Sequence, residues 1–173
     1  MSTTMKLIAK NVLGSDTASV TFSDIPGTYT DLFLAISGRT DNTGGNGDDV
    51  KTTFNGSTSG YSNRRLYGSG IVTGSDSNFG GTAAMRLGAV CDNGSTSNTF
   101  GAFEMYVPNY AGSTNKSISA VGAQEDNEAT AYMIISAGLW SNTAAITSIG
   151  LAPGAGSNWK SGSSFFLYGI TKA

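Results

Sequence analysis

Chemistry needs side chains that take, give or hold a charge, and this chain carries few of them. Its 173 residues include no histidine. Ser-His-Asp and Cys-His catalysis, His-ligated zinc and the ordinary neutral-pH proton shuttle are therefore absent. Lysine- and carboxylate-based mechanisms survive in principle. The acids gather in two polar stretches, Asp41, Asp48 and Asp49 in one, Glu125, Asp126 and Glu128 in the other. Carboxylates beside asparagine and carbonyl groups suit calcium. Neither stretch has the EF-hand spacing or a β-helix calcium repeat, so solvated turn acids are the expectation. Glu104 sits inside a strand pattern and would act as a glycosidase acid only with a second carboxylate about 5 to 9 Å away; nothing in the sequence supplies one. Cys91 follows an apolar run, where a buried inert thiol is expected rather than a nucleophile. The Walker lysine pattern and the strand-turn-helix dinucleotide fingerprint do not occur. No catalytic, cofactor or metal-ligating residue is assigned, and the expectation is a protein that is not an enzyme.

What remains is contact chemistry. Tyr61, Tyr67, Tyr106, Tyr110, Trp140 and Trp159 offer flat faces, although most aromatics of a β-sandwich belong to its core. Trp159 is singled out because it lies in the polar stretch Gly156–Gly162. Arg64 and Arg65 beside Tyr67 could form an inter-subunit contact, since Arg and Tyr are enriched in interfaces; a plain exposed pair fits equally well. Arg64, Arg65, Tyr67 and Trp159 are thus the candidate surface contacts.

The elements that must position these residues are strands. In Phe103-Glu-Met-Tyr-Val107 the apolar residues alternate with Glu104 and Tyr106, the two-residue period of a half-buried strand, and Pro108 ends it. The same plan recurs at Lys6–Leu13, Ala18–Phe22, Leu32–Ile36, Val50–Phe54, Met85–Val90, Ile118–Ala120, Ala145–Leu151 and Phe165–Ile170. Asp41–Asp49 reads as a loop, Asn55-Gly56 as a hairpin pair, and Gln124–Glu128 as a polar tip. Between residues 57 and 82 only Arg64–Tyr67 suggests a strand, with loops on either side. Tyr132–Trp140 is the longest apolar run and should be well buried. Both of its faces carry large apolar residues, so it lies between two layers or one face meets another subunit. About ten short strands and no helical period predict an all-β fold of antiparallel strands, a sandwich or a barrel, as a single domain spanning residues 1–173.

The totals agree. Charged residues make up 13% and the net charge is −2, which gives no broad attraction to nucleic acid or anionic membrane. Glycine supplies 24 residues, roughly double its ordinary share of about 7%, spread between apolar runs as turns would be. One cysteine excludes an intrachain disulfide. No apolar run approaches the roughly 20 residues that span a bilayer, and the first residues show no signal-peptide h-region.

Four ordered motifs resemble one family. Val20-Thr-Phe-Ser-Asp-Ile-Pro-Gly-Thr-Tyr-Thr-Asp-Leu32 resembles a segment of bacteriophage virion structural proteins, many from marine and cyanobacterial phages. Phe103–Ser113, with its PNYAGS, Ala137–Trp140 with Thr143–Ile149, and Ser163–Ile170, with its LYGI, are similar to further motifs of that family. The resemblance covers roughly residues 17–173. It implies a jelly-roll-like sandwich and a structural role on the phage particle, with Leu139 and Ile149 as core, Pro108 and Gly112 as turn, and no catalytic residue to carry over. The expected function is a non-enzymatic capsid decoration or cement protein on the virion exterior, made in the host cytoplasm and bridging major capsid or other virion proteins through many weak copies. A homo-oligomer is expected, with no cofactor, no nucleic acid and no membrane insertion. The alternative is a tail or fibre-tip module binding host surface glycans on its polar, aromatic-bearing loops, with Trp159 as the first candidate; a carboxylate-dependent polysaccharide hydrolase is the third reading.

Overall fold

A computed structural model describes residues 4–44 and 47–171, and for residues 79–82 the backbone alone. Met1–Thr3, read for a signal peptide, and Gly45-Asn46 of the expected loop lie outside the described residues. Twelve strands form: β1 (Met5–Val12), β2 (Val20–Phe22), β3 (Asp31–Gly38), β4 (Asp48–Phe54), β5 (Tyr61–Gly68), β6 (Thr73–Thr82), β7 (Met85–Val90), β8 (Gly101–Val107), β9 (Lys116–Gln124), β10 (Tyr132–Trp140), β11 (Ile149–Pro153) and β12 (Ser164–Ile170). Every strand pair in the two sheets is antiparallel. The wide sheet runs β1-β12-β3-β8-β9-β10-β5-β6 and the narrow one β2-β11-β4-β7. The fold is an all-β antiparallel sandwich: of the sandwich and the barrel that the alternation allows, two separate sheets make it the former.

The alternation decides what is buried. Phe103, Met105 and Val107 of β8 point into the core while Glu104 and Tyr106 point out. Between the sheets, Phe54, Tyr61 and Trp140 form one aromatic cluster, with Phe54 and Trp140 ring centres 5.6 Å apart. Tyr61 also closes the chain from inside: its hydroxyl accepts from the Phe54 amide at 2.7 Å.

Several local expectations need correction. Asp48 and Asp49 belong to β4 rather than to a loop, and Gln124 is buried at the end of β9 rather than at a polar tip. Asn55 and Gly56 do turn the chain with positive φ, 51° and 65°, and the Ser57 amide bonds the Phe54 carbonyl at 2.9 Å. The turn does not close a hairpin, however. β4 pairs with β11 and β7, whereas β5 pairs with β10 and β6, so the turn carries the chain from the narrow sheet into the wide one. β6 went unread because Thr-Gly-Ser-Asp-Ser-Asn has no apolar alternation; it is an edge strand, held by its ladder to β5.

β7 is the narrow-sheet strand that comes closest to the wide sheet, against β5, β8, β9 and β10. Two glycines allow it. A Cβ on Gly122 of β9 would stand 2.4 Å from the Ala89 nitrogen and 2.8 Å from the Gly88 Cα. Gly88 itself has φ 62°, a conformation that side-chain-bearing residues rarely adopt. Both obstacles to a Gly122 Cβ are main chain, so the strands must separate. Gly122→Ala should therefore lower unfolding stability by about 1–3 kcal/mol, the ordinary range for overpacking, read as a lower urea midpoint with an unchanged circular-dichroism spectrum.

Candidate contact surface

Strand alternation splits the adjacent arginines. Arg65 points between the sheets and Arg64 points out from the wide one. The inward side of β5 opens on a cleft of about 370 Å³, lined by Asp49, Arg65, Tyr67, Asp76, Arg86 and Tyr132 among others. Arg65 lies at its centre. Its Nε and Nη2 donate to the two oxygens of Asp76 at 2.7 and 2.6 Å, and Nη1 donates to Asp49. Arg86 approaches the other Asp49 oxygen at 3.6 Å. Tyr67 and Tyr132 meet edge to face with ring centres 6.1 Å apart.

This arrangement is a clamp. Arg65 joins β4 of the narrow sheet to β5 and β6 of the wide one, and every oxygen of Asp49 and Asp76 faces a guanidinium. The hydrogen bond from Arg65 holds the Asp76 carboxyl below its ordinary value. Burial pushes Asp49 the other way, against the attraction of the two arginines.

The other acids are also engaged. Asp48 is buried, and its two oxygens accept the amides of Ala155 and Gly156 at 2.7 and 2.9 Å. Asp41 accepts the amides of Ser157 and Asn158 at 2.7 and 2.9 Å and the Asn158 side chain at 2.8 Å. Asp126 is buried beneath the amide of Gln124 and accepts the Glu128 amide at 3.1 Å. Solvated turn acids are thus the wrong description for Asp48 and Asp126: they tie loops to strand ends. Among the described residues no group of three or more His, Cys, Asp or Glu is placed to hold a metal. Glu104 lies exposed on β8 between Ala35 and Val121, with no carboxylate opposite it on either neighbouring strand. Cys91 is fully buried, and burial raises its thiol pKa.

Trp159 is not a surface residue. It is 0% exposed, its ring packs edge-on to Phe165 with centres 5.1 Å apart, and its Nε1 donates to the Leu151 carbonyl at 3.3 Å. Its polar neighbours Ser157, Asn158 and Lys160 face outward and bond Asp41 and Asp16, which is why its surroundings in sequence mislead. As a glycan platform it is removed.

The outward side of the wide sheet is where the unexplained apolar surface lies. β10 buries Ile134, Ser136, Gly138 and Trp140 toward β7 and exposes Met133, Ile135, Ala137 and Leu139. Ile135 is 57% exposed and Leu66, its partner on β5, 64%. On the other side Ile135 pairs with Val121, and Val121 with Glu104. Leu139, expected in the core, stands between Ser62 and Ser117 on this outer face. The Tyr132–Trp140 run is therefore half covered: one face meets the narrow sheet and the other meets no part of its own described chain. A shallow depression of about 700 Å³ runs between Leu66, Arg64, Ile135 and Ala137. Contiguous exposed apolar surface of this kind marks interaction sites in soluble proteins. Of the four candidates, the structure brings Arg65 and Tyr67 together in the cleft, leaves Arg64 on the apolar face and sends Trp159 to the core. Leu66, Met133 and Ile135 were missed as contact residues; the signal for the latter two was the double-faced run itself.

No family model and no curated protein matches the chain.

Two predictions follow from the charged groups. Arg65→Ala takes away the guanidinium of Asp76 and leaves Asp49 with Arg86 at 3.6 Å, and it should cost about 2 kcal/mol, less than a fully buried pair because Asp76 is partly exposed. Arg65→Lys should recover less than half of that in the same urea titration, because an ammonium cannot reproduce the two-pronged geometry. For Asp41, burial raises the carboxyl, but the hydrogen bonds from Asn158 and Ser157 outweigh it and hold the pKa below the ordinary 3.8. A carboxylate whose folded pKa is lowered stabilises the fold above its unfolded pKa and loses that contribution as pH falls through the folded one. The melting temperature should fall as pH drops below about 4, and Asp41→Asn should flatten part of that fall while lowering the plateau at pH 7.

Proposed function

We propose that this protein is a non-enzymatic structural component of a bacteriophage particle, a decoration or cement protein on the outside of the capsid. The observation that carries this reading is the exposed apolar face of the wide sheet, Leu66, Met133, Ile135 and Leu139, on a rigid sandwich in which Asp41, Asp48, Asp49, Arg65 and Asp76 serve internal ties. Such a surface binds by burying area rather than by positioning reactive groups. The four phage-like motifs supply the class of assembly in which that area is buried, a virion, where the face meets the major capsid protein, another virion protein or a second copy of this chain. Repeated sites on a shell turn weak single contacts into tight occupancy. The work is mechanical, with the sandwich bridging neighbouring subunits and resisting their separation.

The experiment is a deletion in a phage whose genome encodes this chain. Mass spectrometry of purified wild-type particles should find the chain in many copies. Particles without it should adsorb at the normal rate and lose infectivity at least ten times faster on heating or osmotic shock. Sturdy particles that fail to adsorb would instead indicate a receptor-binding tip. Absence of the chain from purified virions would end the proposal.

A further inference from the structure

We propose that the outer face of the wide sheet is covered by a second copy of this chain, in a twofold face-to-face dimer whose axis runs along the strands between β9 and β10. The proposal rests on the contact reading of this face and names its occupant.

The register lays the face out as a grid. Leu66, Ile135, Val121 and Glu104 form one row across β5, β10, β9 and β8. The adjacent row is Arg64, Ala137, Ser119 and Tyr106. A twofold axis between β9 and β10 exchanges β10 with β9 and β5 with β8 of the other copy. Ile135 then meets Val121 of the second copy, and Ala137 meets Ser119, so apolar and small side chains fill the centre. Arg64 falls over Tyr106 of the second copy and one row from Glu104, a step of about 7 Å along the strand, which an arginine side chain spans. The pairing occurs twice by symmetry. Glu104 is the acid of β8 and Arg64 the outward base of β5, so the charges at the two flanks of the apolar centre are opposite. An axis across the strands would set β5 on β5 and β8 on β8 and would not bring Arg64 near Glu104.

Area supports the same occupant. From β6 to β3 six strands are symmetric about this axis. At about 4.8 Å between strands and about 3.3 Å for each of roughly seven residues, they present on the order of 700 Å² per copy. Specific interfaces begin near 1,000 Å² in total and commonly bury about 800 Å² per partner. Sheets that pack face to face keep their strands within about 30° of each other, which an axis along the strands permits.

The test is the mass of the isolated protein by sedimentation equilibrium at 1–100 µM with a charge-reversal cycle. Wild type should be a dimer, and Ile135→Asp a monomer with an unchanged circular-dichroism spectrum. Should that variant misfold, Ile135→Ser provides the same comparison with a gentler change and should weaken the dimer at least tenfold. Arg64→Glu and Glu104→Arg should each weaken it about tenfold, and the double reversal should restore it. A monomeric wild type overturns the proposal. So does a dimer indifferent to residue 135, or one in which both charge reversals are silent. A monomer that still binds purified phage capsids would sink the dimer while leaving the cement reading intact.

Discussion

The close approach of β7 to β9 is the constraint on which the sandwich depends. Gly88 and Gly122 bring two backbones to distances that any side chain would forbid. That contact sets how near the narrow sheet lies to the wide one. Around it, Leu87 and Met85 from β7 reach Gly138 of β10, whose own missing Cβ leaves room for the Met85 sulfur. The aromatic cluster of Phe54, Tyr61 and Trp140 packs into the same interval. The Arg65 clamp then ties the open side of the same interval, where the sheets diverge enough to leave a cleft. Packing and charge act in series: one brings the layers together, the other fixes their edge.

Much of this was legible in the residues. Strands with one wet face announce themselves by alternation, and β8, β3 and β12 follow it closely. Where the alternation is absent, so was the strand: β6 owes its place to a ladder with β5 and to Gly74, which lies under the Tyr67 ring. Asp48 looked like a loop acid because its partners, the amides of Ala155 and Gly156, are more than a hundred residues away in sequence. Trp159 shows the same limit. Its neighbours are polar, yet the indole is drawn to Gly38 and Phe165, contacts no local pattern encodes.

The contact surface was half legible. Two apolar faces in Tyr132–Trp140 implied a place between two layers or a face against another subunit, and the described residues cover one face. Arg64 and Arg65 are the one basic pair of the sequence, and their adjacency concealed that they serve opposite faces. Register, which sequence alone does not reveal, sets Leu66 beside Ile135 and Arg64 beside Ala137.

The sheets are unequal, eight strands against four, and the narrow one cannot roof the whole of its partner. Over β3 and β12 the missing strands are replaced by side chains from connecting segments. Trp159 rests on Gly38 and Phe165, and Tyr29 lies across Gly169. Ile25, Tyr110 and Ile146 are buried with them. Part of the layer facing the wide sheet is therefore assembled from turns. Segments that in most sandwiches drift freely in length and composition are here confined by the job of roofing, and variation should be displaced to the opposite end of the molecule, where the β5–β6 tip carries Ile71 and Val72 into open solvent.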